Sequence, residues 1–482
     1  TATSFVEDTL NGVIWNVVPV FLVLAGVYFG VRTLFVQIRL FPEMLKAVAE
    51  TPKGKDREGR DLDEEYGGLS AFKAFTISAA SRVGTGNIAG VALAISIGGP
   101  GAVFWMWMLA LLGGATAFVE STLAQLWKTK DAEGNYHGGP AYYMTRGLGW
   151  KPLAVIFSAF LAVTYGFVYN AIQTNSIVEA VGGSLGTDSV VLKGVVAAVI
   201  ATLTALVIFG GVTRIASWTQ VIVPFMAGAY ILLGLAVLVI NWREIPGMVE
   251  MIVGHALGLE QVVGAGVGAA FMQGMRRGLF SNEAGMGSAP NAAATATVSH
   301  PVKQGLVQTL GVYFDTLLVC SITAFVVLLG PAVTYGRDDI QGASLTQSAL
   351  ADSVGAWGAH AITFILFFLA FSSVIGNYYL AQANLQYLTD SKTAMTVFRL
   401  VVIFGAFGSV PLVWALGDTM AGLLAIFNIV AIVPLGGVAL KLLKNFNDQR
   451  RKGIDPVFHR EMLPELKNVE YWDGSDPVTR RS

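Results

Sequence analysis

One stretch of the sequence combines residue types that suit a broken helix lining a binding site. It runs from Ser78 to Ala92, within the apolar segment 69–97, and reads S-A-A-S-R-V-G-T-G-N-I-A-G-V-A. Its centre is a poor helix, because each glycine costs about 1 kcal/mol relative to alanine. A break there frees backbone N–H and C=O groups, which are tolerated at membrane depth only where they line a cavity. The alternative is a packing helix in which Gly86 and Gly90 allow close helix contact.

A second apolar stretch is also rich in glycine. From Gly264 it reads G-A-G-V-G-A-A-F-M-Q-G-M-R-R-G-L-F-S-N-E-A-G-M-G-S-A. We predict that this helix also breaks and that the residues at the break contact a bound molecule through carbonyls and an apolar wall. The predicted residues are Phe271, Met272, Gln273 and Gly274. Plain packing of Phe271 and Met272 is the alternative.

Composition and hydropathy indicate an all-α membrane protein. The chain has 482 residues, of which 54% are hydrophobic and 13% charged, whereas soluble domains carry about 25% charged residues. Its net charge of −1 shows no basic bias toward nucleic acid, and its single cysteine excludes a disulfide framework. Apolar runs of about 20 residues can span a bilayer. They predict eleven transmembrane helices, at 11–36, 69–97, 101–127, 152–181, 190–210, 216–241, 260–286, 303–330, 357–388, 396–416 and 419–443.

The two glycine-rich stretches are the second and seventh predicted spans. Because they are an odd number of spans apart, they cross the membrane in opposite directions. This predicts a five-plus-five inverted repeat, spans 2–6 and 7–11, with broken helices 2 and 7. Interrupted helices at corresponding places in two halves indicate a transporter with a binding site near the midplane. Two independently kinked helices are the alternative.

The distribution of lysine and arginine predicts the orientation of the chain. These residues concentrate in the loops 37–68 and 128–151 and after residue 443. The N-terminus is therefore expected outside and the C-terminus in the cytoplasm, in a multi-pass protein of the cell membrane. Residues 1–443 form the predicted transmembrane domain, and residues 444–482 form a short cytoplasmic tail.

Three blocks of the sequence resemble those of the sodium:alanine symporter family, also called alanine/glycine:cation symporters. They are G-G-P-G-A-V-F-W-M-W-M-L-A-L-L-G at 98–113, S-R-V-G-T-G-N-I-A-G-V-A at 81–92 and R-G-L-F-S-N-E-A-G-M-G-S-A-P at 277–290. The resemblance implies a leucine-transporter-like fold. It also implies a symporter, not an enzyme, that couples inward movement of Na+ to uptake of alanine or glycine by alternating access.

The resemblance also implies positions for the substrate and the ion. The run V-G-T-G-N at 83–87 is similar to V-G-L-G-N of neurotransmitter:sodium symporters. In those proteins the backbone N–H groups just before the asparagine hold the substrate carboxylate, and here they belong to Thr85 and Gly86. Helix carbonyls and a Ser/Thr pair bind sodium in the same relatives. The corresponding sodium ligands here are Ala80, Val83, Leu369, Ser372 and Ser373.

Other polar residues also lie inside the predicted spans. Asn170 and Gln173 share one helix face and are predicted substrate ligands, with interhelical hydrogen bonding as the alternative. Charged residues at membrane depth must pair or face water. We therefore predict a salt-bridge network that gates the cytoplasmic end, unless its members pair only structurally. Its predicted members are Arg82, Glu120, Arg276 and Glu283.

Two transport functions remain open at this point. The first is sodium-coupled symport of small neutral amino acids, and the second is proton-coupled transport or exchange by the same fold, with Glu120 or Asp315 in a proton relay. A membrane-embedded enzyme is disfavoured. The G-x-S-x-G match at 182–186 lies in a glycine-rich turn and does not follow a strand.

Overall fold

The computed structural model describes residues 2–50, 69–330, 335–336, 342–404 and 410–479. The main helices are α1 Ala2–Arg32, α2 Phe41–Ala49, α3 Ala71–Arg82, α4 Gly86–Gly98, α5 Gly101–Leu126, α6 Lys151–Leu185, α7 Val190–Ile208, α8 Gly211–Ile240, α9 Ile245–Ala256, α10 Val267–Asn282, α11 Ala289–Ala293, α12 Pro301–Leu328, α13 Gly342–Val354, α14 Trp357–Leu388, α15 Lys392–Phe404 and α16 Val410–Arg451. A short antiparallel hairpin pairs β1 Thr129–Lys130 with β2 Tyr136–His137. Parts of the predicted loop 37–68 and of the predicted tenth span lie outside the described residues.

Eight helices in the described part of the chain are long and apolar enough to cross a membrane: α1, α5, α6, α7, α8, α12, α14 and α16. Large apolar side chains such as Leu24, Phe225 and Leu232 are exposed on their outer faces, as expected for helices in contact with lipid. Of the other three predicted spans, two are interrupted helices, and α15 has 13 residues. The structure is thus that of a multi-pass helical membrane protein.

The predicted boundary between the last two spans is wrong. We expected spans at 396–416 and 419–443, but α16 is one helix of 42 residues that begins at Val410. Gly417 does not end a helix. A Cβ on this residue would lie 2.9 Å from the side chain of Ile172, so the glycine allows α16 to approach α6 closely. The correction places Asp418 inside a helix rather than in a loop.

The two interrupted helices lie side by side and run in opposite directions. Leu69, two residues before α3 begins, pairs with the chain that follows α11 through bonds to Thr295 and Thr297. At the other end, Gly98 of α4 contacts Gln273 of α10. Each interrupted helix therefore begins where the other ends.

Three of the central helices contain π-helical segments: Gly86–Gly90 in α4, Thr164–Val168 in α6 and Tyr313–Cys320 in α12. A π-bulge widens the helix by one residue per turn and is found frequently at functional sites. In this protein Gly86–Gly90 directly follows the break between α3 and α4. One of these irregular segments therefore lies where the sequence predicts binding.

Candidate binding site at the interrupted helices

The first interruption lies where the sequence predicts it. Helix α3 ends at Arg82, Val83 is extended, and the chain becomes helical again at Thr85. The side chain of Asn87 stabilises this opening, because its Oδ1 accepts a hydrogen bond from the Gly84 N–H at 2.9 Å. Its amide donates in turn to Asp315 at 2.7 Å. The freed backbone is thus held open by a buried polar side chain.

The predicted sodium ligands include a compact group of oxygens on one side of this break. The Ser373 hydroxyl lies 2.7 Å from the Ala80 carbonyl and 3.3 Å from the Val83 carbonyl. The Ser372 hydroxyl donates within its own helix, to the Leu369 carbonyl at 2.7 Å. Hard cations prefer oxygen ligands, and a group of uncharged oxygens suits a monovalent ion. Ser373, unlike Ser372, joins α14 to the broken helix.

A side-chain oxygen faces the N–H groups on the other side of the break. The Oε1 of Gln173 accepts a hydrogen bond from the Thr85 N–H at 3.0 Å. The N–H groups at the start of α4 can therefore bind a hydrogen-bond acceptor, as the positive end of a helix binds anions. Asn170 lies one turn away on α6 and accepts from Asn377 at 3.1 Å. The structure therefore brings both predicted polar ligands of α6 to the interruption.

An aromatic wall stands opposite the first turn of α4. A Cβ on Gly86 would lie 3.0 Å from the ring of Phe280. That ring contacts Tyr169 and Trp414, with centroid distances of 4.9 and 5.1 Å. The sequence interpretation missed Phe280 because it placed the second break too early in the chain, and Trp414 because its contact with Phe280 joins two distant helices.

The second interruption lies about ten residues later than predicted. Helix α10 continues without a break from Val267 to Asn282. The chain then turns through three left-handed residues, Glu283, Gly285 and Gly287, with φ of 58°, 83° and 80°. Gly274 does not break the helix. It allows α10 to approach α5 closely, since a Cβ there would lie 2.5 Å from the Trp105 side chain.

The predicted wall residues are therefore displaced from the first break. Phe271 packs edge-on against Trp105 at 5.1 Å, and Met272 joins the surrounding core. Gln273 lies beside Gly98, which is about 18 Å along α4 from Gly86 at 1.5 Å per residue. The prediction that Phe271, Met272, Gln273 and Gly274 lie at the break is wrong.

The predicted cytoplasmic salt-bridge network is not formed in the described part of the chain. Glu283 accepts hydrogen bonds from Ser81 at 3.2 Å and Ser288 at 2.6 Å, so it links the two interruptions. Glu120 accepts from the Gly285 N–H at 3.1 Å and from Asn428 at 2.7 Å. The two carboxylates thus hold polar groups of the interrupted helices rather than arginine side chains.

Arg82 also lies apart from any carboxylate partner among the described residues. Its buried guanidinium donates to the Gln308 carbonyl at 3.4 Å. The space that it occupies requires glycine at position 311, because a Cβ there would lie 2.3 Å from Arg82 Nη1. Arg82 therefore faces α12 rather than the oxygens around Ser373.

Arg276 and Arg277 form an ionic cluster with acidic side chains of α1 and α16. Arg277 pairs with Asp418 of α16, and Arg276 pairs with Glu7 near the beginning of α1. A second contact joins Arg276 to Asp418 at 3.7 Å. The cluster joins the beginning of α1 to the second half of α10 and to the third turn of α16. The placement of Arg276 at a cytoplasmic gate stays a prediction.

The chain is similar to known proteins along nearly its whole length. Residues 1–460 match the model of the sodium:alanine symporter family. The chain is 47% identical to the amino-acid carrier protein AlsT of Bacillus subtilis, over 98% of both chains. It is 38% identical to the sodium/alanine symporter AgcS of Methanococcus maripaludis, over 92% of this chain and 97% of that protein. It also resembles the probable sodium/glutamine symporter GlnT of Bacillus subtilis, at 42% identity over 97% of this chain and 96% of that protein.

The fold has a counterpart among solved structures. The structure of MhsT in complex with L-phenylalanine superimposes with a TM-score of 0.56 at 12% sequence identity, covering 79% of this chain and 99% of MhsT. At this identity the likeness concerns the fold, which is that of the leucine-transporter-like transporters. The chain is therefore a transporter with that fold and belongs to the sodium:alanine symporter family.

Proposed function

We propose that this protein is a symporter that couples inward sodium movement to uptake of small neutral amino acids, alanine and glycine, by alternating access. The observation that carries the proposal is the shared backbone at the first break. The Val83 carbonyl points to the Ser373 hydroxyl, and two residues later the Thr85 N–H points to Gln173. An ion at the first position and a carboxylate at the second would fix the same short piece of chain.

Gly84 lies between these two positions and has no room for a side chain. A Cβ there would lie 2.2 Å from Ser373 Oγ and 2.9 Å from Gln173 Oε1. Binding at either position therefore restricts the backbone that the other needs. Two ligands that order the same element bind cooperatively, which is what symport requires.

The substrate proposal follows from the polar and apolar sides of this space. The N–H groups of Thr85 and Gly86 would receive the carboxylate in place of the Gln173 oxygen, with Asn170 nearby. The side chain would face Phe280 and Trp414. Backbone on one side and aromatic rings on the other favour a side chain no larger than a methyl group.

The proposed topology has eleven crossings, counting both interrupted helices and α15, and an inverted repeat of spans 2–6 and 7–11. In this arrangement the N-terminus is outside and the end of α16 is cytoplasmic. Proton coupling is the second candidate. It is favoured by Asp315, which is fully buried beside the break and bonded to Asn87.

Uptake into proteoliposomes tests the function directly. We expect labelled alanine and glycine to accumulate under an inward sodium gradient, and to accumulate no longer when choline replaces sodium at constant pH. A proton gradient imposed without sodium forms the second arm of the experiment. Accumulation in that arm alone would replace the sodium proposal by the proton candidate, and accumulation in neither arm would contradict both.

Replacing Ser373 by alanine should weaken sodium binding much more than the same change at Ser372. Ser373 Oγ contacts two carbonyls of the broken helix, whereas Ser372 Oγ contacts a carbonyl of its own helix. We expect the sodium concentration for half-maximal uptake to rise about tenfold in Ser373→Ala, which corresponds to ~1.4 kcal/mol. Equal sodium dependence in the two variants would remove Ser373 from the proposed ion site.

Replacing Phe280 by alanine should admit larger substrates. Wild-type protein should transport alanine and glycine, take up serine poorly and exclude leucine. One extra methylene on the substrate costs ~1–3 kcal/mol in a pocket that can adapt, and a rigid aromatic wall should make that cost larger. Phe280→Ala should gain uptake of valine or leucine. Phe271→Ala is the matched control, since this phenylalanine packs on Trp105 far from the break. If Phe271→Ala changes the size limit and Phe280→Ala does not, the pocket lies elsewhere.

A further inference from the structure

The chain after α16 does not extend away from the bundle. Residues 452–479, which we call the strap, cross the end of the molecule where α5 ends and α12 begins. The strap buries Phe458 completely, and Trp472 is 3% exposed. The Trp472 indole donates to the Gln125 carbonyl at 3.0 Å. A polar stretch that was expected to be a cytoplasmic tail is thus anchored by two buried aromatic side chains.

The strap binds the segment 294–300, which follows the second interrupted helix. The Phe458 N–H donates to the Ser299 carbonyl at 2.8 Å, and the Ser299 hydroxyl donates to the Pro456 carbonyl at 2.9 Å. Lys303, just beyond this segment, pairs with Asp455 at 3.0 Å. Backbone bonds and an ion pair therefore fix the strap to the exit of α11.

The segment 294–300 also holds the beginning of the first interrupted helix. Leu69 exchanges backbone bonds with Thr295 and Thr297 at 3.2 and 2.7 Å, directly before α3 begins. The two half-helices on this side of the site, α3 and α11, are thus tied together by one segment. A movement that separates them must break these bonds or move the whole segment.

A buried lysine joins the strap, this segment and the β1–β2 hairpin. The Lys128 ammonium donates to the Ala296 carbonyl at 3.1 Å. It also lies over the rings of Tyr136 and Trp472, 3.9 and 4.6 Å from their centroids. Cation–π contacts contribute most when they are desolvated. Three separate parts of the chain therefore meet at one ammonium group.

The strap also holds the hairpin itself. Tyr136 of β2 donates to Asp476 at 2.9 Å, and the Trp127 indole donates to the Lys467 carbonyl at 3.0 Å. The hairpin forms one wall of a cavity of about 880 Å³ on this end of the bundle, lined also by Gln382 and Arg399. The strap thus spans from the loop between α5 and α6 to the loop between α11 and α12.

We propose that the strap is a latch that holds this end of the transporter closed, and that each transport cycle requires its release from the segment 294–300. The inference rests on the alternating access of the proposed symporter. In such a cycle the half-helices on one side must separate to open the site, and here α3 and α11 cannot separate while the strap clamps the segment between them. Packed contacts of this kind give two discrete states rather than a gradual opening.

Cysteine labelling tests the latch without transport. Thr76 of α3 is fully buried, and a Thr76→Cys probe in a Cys320→Ser background reports separation of α3 from its neighbours. We expect Phe458→Ala and Trp472→Ala to raise the labelling rate by at least about tenfold, because truncating a buried aromatic residue shifts an equilibrium by more than this. Glu465→Ala is the matched control, since this strap residue pairs with the half-exposed Lys441 on the surface. Labelling that is equal in all three variants would overturn the latch.

A covalent lock tests the same proposal without removing a buried side chain. Ser299→Cys combined with Pro456→Cys, in the same background, places two thiols where the strap meets the segment. Oxidation should abolish uptake and a reductant should restore it, whereas full uptake by the cross-linked protein would overturn the latch. Gel filtration identifies variants that fail to fold. The labelling assay requires neither sodium nor amino acid, so its failure is distinct from a failure of symport.

Discussion

Gly84→Ala is expected to abolish coupled uptake while leaving the protein folded. The added methyl group would lie 2.2 Å from Ser373 Oγ and 2.9 Å from Gln173 Oε1. Overpacking of this kind costs ~1–3 kcal/mol or more. Because the methyl group intrudes on both sides of the break, sodium and substrate should each bind at least about tenfold more weakly. Isotope uptake and calorimetric binding of both ligands measure the two losses.

Gly90→Ala is the matched control for this change. Gly90 lies six residues further on, inside α4, and the nearest atom to its added Cβ is a ring carbon of Trp414 at 3.6 Å. This is an ordinary van der Waals distance, so Gly90→Ala should retain most of its uptake. If Gly84→Ala transports as well as Gly90→Ala, the break between α3 and α4 is not the shared element of the two sites.

The first interruption could be predicted from the sequence because three signals coincide there. Two glycines lie close together, Arg82 and Asn87 are costly in lipid, and the surrounding segment is apolar. The structure adds the partner that the sequence could not provide. Asn87 reaches Asp315, 228 positions away, and nothing in the local sequence indicates such a contact.

The second interruption shows why glycines alone are an ambiguous signal. Gly274 and Gly278 allow α10 to approach α5, whereas Gly285 and Gly287 adopt positive φ. All four are in one glycine-rich run, and only tertiary packing separates the two uses. Glu283 also has a positive φ of 58°, which few residues with a side chain adopt. A count of glycines without this distinction places the break about ten residues too early.

Asp418 illustrates a signal that the sequence did contain. An acidic residue inside an apolar run, as at 410–443, indicates a functional residue in a membrane protein. We expected the boundary between the spans 396–416 and 419–443 there. The sequence predicts that Arg276 needs a partner, but the partners of Arg276 and Arg277 come from the first and last helices. Pairing across such sequence distances follows from the packing of helices and not from local pattern.

Asp418→Asn is expected to destabilise the protein strongly and to abolish uptake. Asp418 and Arg277 are both nearly fully buried, and Arg276 lies 3.7 Å from the same carboxylate. Removing one partner of a buried ion pair costs ~3–5 kcal/mol, because the remaining charge stays buried without compensation. The Arg277 guanidinium also lies over the Trp414 ring at 5.0 Å, so its displacement would disturb the aromatic wall. Thermal unfolding in detergent and isotope uptake measure the two effects.

A second carboxylate in the same cluster provides the control. Glu7 pairs with Arg276, but its side chain is 42% exposed, and exposed ion pairs contribute ~0–1 kcal/mol. Glu7→Gln should therefore unfold near the wild-type temperature. The double variant Arg277→Met with Asp418→Asn removes both charges and should recover stability relative to Asp418→Asn alone, because a buried pair can often be replaced by uncharged groups at little cost. Recovered stability without recovered uptake would assign the ion pair to closing this end of the site. If Asp418→Asn is as stable as Glu7→Gln, the ionic cluster does not hold α10 and α16 together.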